Sequence, residues 1–185
     1  MSRLEEGRAP DVKILSRLCT SLDGCVATAD GWPIQLAYPA WDAGQLGFYE
    51  LQAGCDAVLM GRSTFEPALS APHWPWGDLD VFVLGAQRPE GTPERVVVDD
   101  DPVRLLERVR EANRGGDVHV VGGPQTIETC RGLGALDEFR LLVLPMLAGT
   151  GRRVTPAVDH TAQLEFVEVK PWPTGVIELI YRVHV

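Results

Sequence analysis

The chain has 185 residues, of which 45% are apolar and 23% are charged, as is ordinary for a globular protein of one domain. The formal net charge is −9, from 26 acidic and 17 basic side chains. That balance argues against a nucleic-acid or anionic-membrane surface, because both require a basic stripe. It does not exclude an anionic small ligand, since a local pocket can be positive on an acidic protein.

The cysteines and the N-terminus indicate a reducing compartment. The four cysteines form no C-x-x-C pair, and no histidine stands at a metal-ligand spacing from them, so we expect small buried apolar side chains and no metal. The first residues contain no apolar stretch of the kind that a secretory signal needs. We therefore expect a cytoplasmic protein, with residues 1–11 as a loose leader and residues 12–185 as one domain.

Short apolar runs alternate with helical patterns through most of the chain, which is typical of an α/β fold. We expect strands over 12–20, 57–60, 81–84, 95–98 and 117–121. We expect helices over 42–54, 102–114 and 124–131. A long loop, 21–41, follows the first strand. Asp42 and Asp101 are the expected N-caps of the first two helices, because each stands directly before a helical pattern.

The pattern changes to strands alone after residue 137. Runs over 138–144, 164–170 and 176–185 predict a C-terminal antiparallel hairpin on an otherwise parallel sheet. In the last strand we expect one apolar face toward the core: Ile177, Leu179, Tyr181, Val183 and Val185. The opposite face mixes Val176 and Ile180 with charged residues, which suits a partly polar contact with a second copy or a helix-covered surface.

Glycines follow three of the apolar strands: Gly61, Gly85 and the pair Gly122-Gly123. Ligands of open α/β sheets lie across the carboxyl ends of the strands, and glycine there allows a close approach of the backbone. Pro124 then opens a helix, whose N-terminus suits a phosphate. Any one of these glycines can simply end a strand, but together with the Arg-Ser-Thr run after Gly61 they favour a dinucleotide. The common G-x-G-x-x-G pattern is absent.

Four segments in this order carry a resemblance: 21–24 (SLDG), 56–65 (DAVLMGRSTF), 120–124 (VVGGP) and 136–151 (LDEF…P…GTG). They resemble the dihydrofolate-reductase-like family, in particular the RibD C-terminal domain of riboflavin biosynthesis, over nearly the whole chain. The resemblance implies a three-layer α/β/α fold with a central mixed, mostly parallel sheet. It also implies NADPH as cofactor, hydride transfer to a small pteridine-like, pyrimidine-like or carbonyl substrate, and pairing into homodimers through the C-terminal region.

The resemblance assigns site residues in two groups. The expected cofactor contacts are Gly61, Arg62, Ser63, Thr64, Leu84, Gly85, Gln87, Arg88, Gly122, Gly123, Pro124 and Gln125. The expected substrate contacts are Ser21, Gly24, Trp32, Gln45, Tyr49 and Phe65. Asp23 is the candidate proton relay, although Asp-Gly is equally a turn former. Pro67 limits the helix after Gly61 to a single turn, or moves its start to Pro67.

The chain departs from the family where substrate chemistry is concerned. Gln45 stands where a dihydrofolate reductase carries its acid, and the segment 65–70 lacks the acid pair of the riboflavin-pathway reductase. Val121 stands where that reductase has a glutamate. A non-catalytic dinucleotide-binding protein and a structural module without ligand therefore remain alternatives. Arg152-Arg153 is expected to be a surface pair, and Asp99–Asp101 a solvated turn.

Overall fold

The computed structural model describes residues 12–156 and 161–184. The strands are β1 (Ile14–Ser21), β2 (Cys25–Thr28), β3 (Cys55–Gly61), β4 (Asp80–Leu84), β5 (Val97–Asp99), β6 (Asp117–Gly122), β7 (Glu138–Leu144), β8 (Gly151–Arg153), β9 (Leu164–Pro171) and β10 (Ile177–Val183). The helices are α1 (Phe48–Ala53), α2 (Arg62–Phe65), α3 (Pro102–Ala112) and α4 (Pro124–Gly132), and 3₁₀ turns cover Ile34–Ala37 and Glu66–Ser70. The expected leader, 1–11, lies outside the described residues.

Eight strands form one sheet in the order β5-β4-β3-β6-β1-β7-β10-β9. Every neighbouring pair from β5 to β7 is parallel, and β10 runs antiparallel to both β7 and β9. A separate ribbon pairs β2 with β8. The expected mixed, mostly parallel sheet with a C-terminal antiparallel hairpin is confirmed.

Alternation along β3 shows the three layers. Ala57 and Leu59 pack with α3 and α4 on one face of the sheet, while Val58 and Met60 pack with Phe65 on the other. Successive side chains of a strand point to opposite faces, so a strand that is apolar throughout must be covered on both. The three-layer arrangement is therefore confirmed.

The helix expected over 42–54 is shorter than the pattern indicated. Asp42 does act as a cap, because its Oδ1 accepts a hydrogen bond from the Gln45 backbone N–H at 2.8 Å. It caps a run of turns, however, and α1 begins only after Gly47, whose φ is +69°. Tyr49, expected on the same face as the buried Leu46, is 66% exposed. The interruption at Gly47 changes the direction of the chain and so breaks the helical periodicity.

The last strand turns the opposite face to the core from the one expected. Val176 is fully buried and Glu178 and Ile180 nearly so, whereas Ile177 is 45% exposed. Glu178 is buried because it pairs with Arg17 of β1, with 2.6 Å between Oε1 and Nε. Strict alternation of residue types along the strand defines two faces. The buried ion pair with Arg17 makes the face that carries Glu178 the inner face. Val185 lies outside the described residues.

Of three other local expectations, one is wrong in part and two are confirmed. The loop expected over 21–41 contains β2 and a 3₁₀ turn, because β2 finds its partner far along the chain in β8. The constraint from Pro67 is confirmed: α2 is a single turn and a 3₁₀ turn follows it. Asp101 caps α3 as expected, accepting hydrogen bonds from two backbone N–H groups.

In the described ranges, none of the helices combines the length and the apolar character required to cross a lipid bilayer.

Candidate functional site

The three strands that end in glycine are neighbours. β3 lies between β4 and β6, all three run parallel, and Gly61 pairs with Leu84 while Met60 pairs with Gly122. Their carboxyl ends therefore meet at one edge of the sheet. This is the position at which open α/β sheets bind ligands.

A cleft of about 790 Å³ opens at this edge. That volume lies within the range of roughly 300–1,000 Å³ that is usual for small-molecule and cofactor sites. It is lined by Gly61, Arg62, Ser63, Leu84, Gly123, Pro124, Gln125, Thr126, Thr129, Arg152, Arg153, Thr155 and Pro156. Seven of these are residues that the sequence assigned to a cofactor: Gly61, Arg62, Ser63, Leu84, Gly123, Pro124 and Gln125.

The cleft is positive on an acidic protein. Three arginines line it, Arg62, Arg152 and Arg153, and its described lining includes no carboxyl group. Arg62 approaches Glu66 at 3.4 Å, but both side chains are about half exposed, so this pair is a weak one. The lining therefore favours an anionic ligand.

Gly123 leaves the cleft open above the first turn of α4. Its φ of −85° and ψ of −170° are extended, as the following proline requires. A Cβ at this position would lie 3.7 Å from Thr64 Oγ1 and 4.0 Å from Arg152 Nη1, at ordinary contact distances. The protein itself therefore has room for a side chain here, and the space faces the cleft that Gly123 lines.

The N-terminus of α4 adds a second positive feature. Gly123 is its N-cap and has no side chain to cap it. Pro124 has no N–H and the Thr126 N–H donates to the Gly123 carbonyl at 3.0 Å, so the Gln125 N–H is the first-turn donor left for a ligand. The uncapped end of a helix carries partial positive charge and suits phosphate oxygens. Together with the arginines, it makes one wall of the cleft fit a phosphate group.

Several residues assigned to the cofactor lie beside the cleft or away from it. Thr64 lies close to Gly123, and a Cβ on Gly85 would lie 3.1 Å from Arg62 Cβ. Gly122 is buried and Gln87 is exposed. Arg88 holds its own loop: its guanidinium donates to the carbonyls of Val96 and Pro93 at 2.8 and 2.6 Å. Arg88 is thus engaged in the 88–96 turn.

Ser21, Asp23 and Gly24 form one tight turn, in which the Gly24 N–H donates to the Ser21 carbonyl at 2.9 Å. This is the part that the sequence left open for Asp23 beside that of a proton relay. The Asp23 carboxylate accepts hydrogen bonds from Ser21 Oγ, from the Ala148 N–H at 2.9 Å and from the Gly149 N–H at 2.7 Å. These bonds, the one from Ala148 first, hold the pKa of Asp23 well below its usual range. A carboxylate held in this way is a poor proton donor near neutral pH, which opposes its expected part as a relay.

The remaining substrate candidates do not come together. Phe65 is fully buried and packs edge-on against Trp74, so its side chain supports the core and does not contact a ligand, contrary to expectation. Trp32 and Tyr49 are 62% and 66% exposed, and Gln45 is exposed as well. None of these four lines the cleft.

Sequence reasoning missed the far wall of the cleft. Arg152 and Arg153, expected to be a surface pair, lie on β8, and the ribbon with β2 brings them to the cleft. Thr126, Thr129, Thr155 and Pro156 complete that lining. The available signal was the Gly-Thr-Gly run before two arginines, since glycine followed by cationic side chains is also the pattern at Gly61-Arg62.

The other chemical groups of the chain play supporting parts. The four cysteines are free and buried, and burial raises the pKa of Cys19 to about 12 and that of Cys55 to about 11. Such thiols are unreactive. Asp99, expected in a solvated turn, is instead buried and pairs with Arg104. Within 12–156 and 161–184, no three His, Cys, Asp or Glu side chains are grouped to hold a metal ion.

Comparison with known proteins agrees with this geometry. The structure of a putative riboflavin biosynthesis protein from Shewanella sp. PV-4 has a TM-score of 0.77 at 22% identity, covering 94% of this chain and all of that one. Dihydrofolate reductase from Enterococcus faecalis, complexed with NADP(H) and RAB-propyl, has a TM-score of 0.64 at 16% identity, covering 94% of this chain and 97% of that one. The uncharacterized protein YwjB of Bacillus subtilis is 26% identical over 165 residues, which are 89% of this chain and 94% of that protein.

The structural likenesses establish a dihydrofolate-reductase-like fold. The model of the RibD C-terminal domain matches residues 12–177, which is most of the chain. The strand-end glycines and the loop at Gly122-Gly123-Pro124, on which the resemblance was based, fall inside that match. The chain belongs to the RibD C-terminal domain family.

Proposed function

We propose that this protein is an NADPH-dependent reductase that acts on a small heterocyclic or carbonyl substrate. The observation that carries the proposal is the cleft at the ends of β3, β4 and β6, with three arginines, an uncapped helix N-terminus and an open Gly123. Membership of the RibD C-terminal family supports a reductase. The Enterococcus neighbour with NADP(H) bound supports the choice of cofactor.

The residues of the cleft fit the dinucleotide in charge, room and position. Arg62, on the first turn after β3, would pair with phosphate oxygens, since a guanidinium offers paired N–H donors. Gly123 would allow the cofactor to approach the backbone, and the first turn of α4 would face the pyrophosphate. When bound, NADPH supplies a hydride from its nicotinamide ring.

The residues of the cleft would hold the cofactor and the acceptor in the orientation that hydride transfer requires, and would exclude other molecules from contact with them. The described lining of the cleft offers no carboxyl group, and Asp23 is held as a carboxylate by its hydrogen bonds. We therefore propose that the proton which completes the reduction comes from solvent. Such a mechanism suits an acceptor that needs little acid assistance.

The same absence of an acid favours a second candidate, a protein that binds the dinucleotide without catalysis. Titration of the protein with NADPH, followed by nicotinamide fluorescence, tests the shared part of both functions. A panel of pteridines, pyrimidines and carbonyl compounds, followed by consumption of NADPH, then separates them. Binding with turnover supports the reductase, binding without turnover on any acceptor supports the second candidate, and no binding contradicts both.

A further inference from the structure

Asp23 joins two parts of the chain that are far apart in sequence. Its Oδ1 accepts from the Ala148 N–H at 2.9 Å and its Oδ2 from the Gly149 N–H at 2.7 Å, across 125 and 126 residues. Its backbone carbonyl accepts from the guanidinium of Arg153. Ser21 Oγ donates to Oδ1 at 2.6 Å and so orients the carboxylate. One residue thus binds both the approach to β8 and its last residue.

The segment that Asp23 holds packs against the core at its two ends, through Ala148 and Val154, but the strand between them has little other support. β8 has three residues, all exposed, and it pairs with β2 alone among the described strands. The Val154 N–H donates to the Gly24 carbonyl at 3.0 Å, again in the turn that contains Asp23. Two-stranded ribbons are marginally stable by themselves. The position of β8 therefore depends on its connections to the 21–25 turn.

Arg152 is the residue whose position this arrangement determines. It stands in the middle of β8 opposite Ala27, and its Nη1 lies 4.0 Å from the point where a Gly123 Cβ would be. Its guanidinium has no hydrogen bond or ion pair with any residue in the described part of the chain. Among the described residues, the ribbon and the packing of the neighbouring Val154 therefore keep this charge over the start of α4.

We infer that Asp23 is a positioning residue, which sets the affinity of the cleft for a dinucleotide phosphate by holding Arg152 against Gly123. This inference rests on the proposed function, because it assumes that the cleft binds a phosphate-bearing ligand. It gives Asp23 a different part from a proton relay: the residue acts on the cofactor through the β2–β8 ribbon. The turn that contains the expected substrate contacts Ser21 and Gly24 is thereby coupled to the cofactor cleft.

The test is a double-mutant cycle on NADPH affinity with the variants D23N, R152Q and D23N/R152Q. Asn keeps the size of Asp, but its amide nitrogen cannot accept a hydrogen bond from the Gly149 N–H. Each single variant is expected to weaken NADPH binding about tenfold, the size of one charge-assisted hydrogen bond. The double variant is expected to be no weaker than R152Q, because Asp23 acts through Arg152. D80N is the matched control, since Asp80 pairs with Arg114 at the first residue of β4, at the opposite end of that strand from the cleft.

Two further measurements separate positioning from a loss of stability. The salt dependence of NADPH binding should be reduced equally in D23N and R152Q, because both remove the same positive charge from the phosphate. The backbone amides of Ala148 and Gly149 should exchange hydrogen faster in D23N than in D80N. Should D23N fail to fold, S21A loosens the same carboxylate and should give a smaller effect in the same direction.

The outcomes distinguish this inference from the proposed function. A wild type that binds NADPH, with D23N binding equally well or with the D23N and R152Q effects multiplying, overturns the inference and leaves the proposed function standing. A wild type that binds neither NADPH nor inorganic pyrophosphate overturns both. Coupled effects of D23N and R152Q, with D80N unchanged, support the inference.

Discussion

Gly61 and Thr126 are in contact below the cleft, and the contact leaves no room for a methyl group. A Cβ built on Gly61 would lie 2.7 Å from Thr126 Oγ1, and Thr126 is only 4% exposed. Because Gly61 has no side chain, the last residue of β3 and the first turn of α4 can pack directly against each other. Gly123, one strand away, has the opposite surroundings, since a Cβ there meets only ordinary contacts.

This difference predicts opposite effects of two glycine substitutions. Gly61→Ala is expected to lower the free energy of unfolding by about 1–3 kcal/mol, the usual cost of overpacking. Gly123→Val is expected to leave the fold mostly intact and to abolish NADPH binding, because the valine side chain would occupy the part of the cleft that Gly123 leaves open. Melting temperature and NADPH affinity, measured together on both variants, test this. A folded Gly123→Val protein that binds NADPH normally would show that the site is placed wrongly.

Arg62 is expected to make the protein prefer NADPH to NADH. The described lining of the cleft has no carboxylate to select a free ribose 2′-hydroxyl, whereas Arg62 can pair with a 2′-phosphate. Arg62→Gln should weaken NADPH binding about tenfold and NADH binding much less. Arg88→Gln is the control, because Arg88 is engaged with the carbonyls of its own loop. Equal dissociation constants of the wild type for the two cofactors at low salt would contradict the prediction.

Dihydrofolate is expected to be a poor substrate. Protonation of the pterin needs a well-placed acid, and Gln45, which stands at that place in the sequence, is exposed on the turns before α1. Asp23, the other candidate, has its pKa held well below the usual range by three hydrogen bonds. Steady-state assays with saturating NADPH should give little or no turnover of dihydrofolate. A turnover number like that of ordinary dihydrofolate reductases would refute this prediction.

His119 should make the protein less stable in mild acid. Burial lowers the pKa of His119 from 6.5 to about 4, and its Nε2 lies 3.1 Å from the Arg17 carbonyl, to which a neutral ring can donate. Because the unfolded chain binds the proton at higher pH, this contribution is complete above pH 6.5 and is lost as the pH falls toward 4. Between pH 7 and pH 5 the loss amounts to about 2 kcal/mol. Urea unfolding of the wild type and of His119→Gln at both pH values measures it, and a variant with the same pH dependence as the wild type would exclude His119 as its source.

A homodimer is expected to form through the outer face of the C-terminal hairpin. Phe166, Val169 and Ile177 are 58%, 50% and 45% exposed, and their cross-strand partners continue an apolar face across β10 to β7. Uncovered apolar patches of this kind mark interfaces. The face differs from the one that the sequence suggested, since Val176 and Ile180 lie in the core.

Light scattering at tens of micromolar is expected to give the mass of a dimer, and Phe166→Lys is expected to shift it toward the monomer. Leu22→Lys serves as the control, because Leu22 is equally exposed but lies in the 21–25 turn, away from this hairpin. A monomer mass for the wild type would remove the idea of a dimer. A dimer that Phe166→Lys leaves unchanged would place the interface elsewhere.

The sequence by itself determined the local elements and the edge of the sheet at which the cleft opens. Three sequence features act on the backbone within a few residues: glycine after an apolar strand, proline after glycine, and Asp101 before α3. Their effects could therefore be predicted without knowledge of the tertiary contacts. Ligands of open α/β sheets lie across the carboxyl ends of the strands, and this rule alone predicted that Gly61, Arg62 and Gly123 would lie at one edge. They do line one cleft, while the order β4-β3-β6 came from the structure.

Only the tertiary structure decided the parts that depend on contacts distant in sequence. β2 and β8 have four and three residues, too few to show a period, and they acquire strand geometry by pairing with each other across more than a hundred positions. That pairing places the exposed Arg152 and Arg153 on the wall of the cleft. It also brings the segments that Asp23 connects next to each other. Likewise, the pairing of Arg17 with Glu178 decided which face of β10 is buried. Alternation specifies that a strand has two faces, and the partner that each face meets specifies which one is inside.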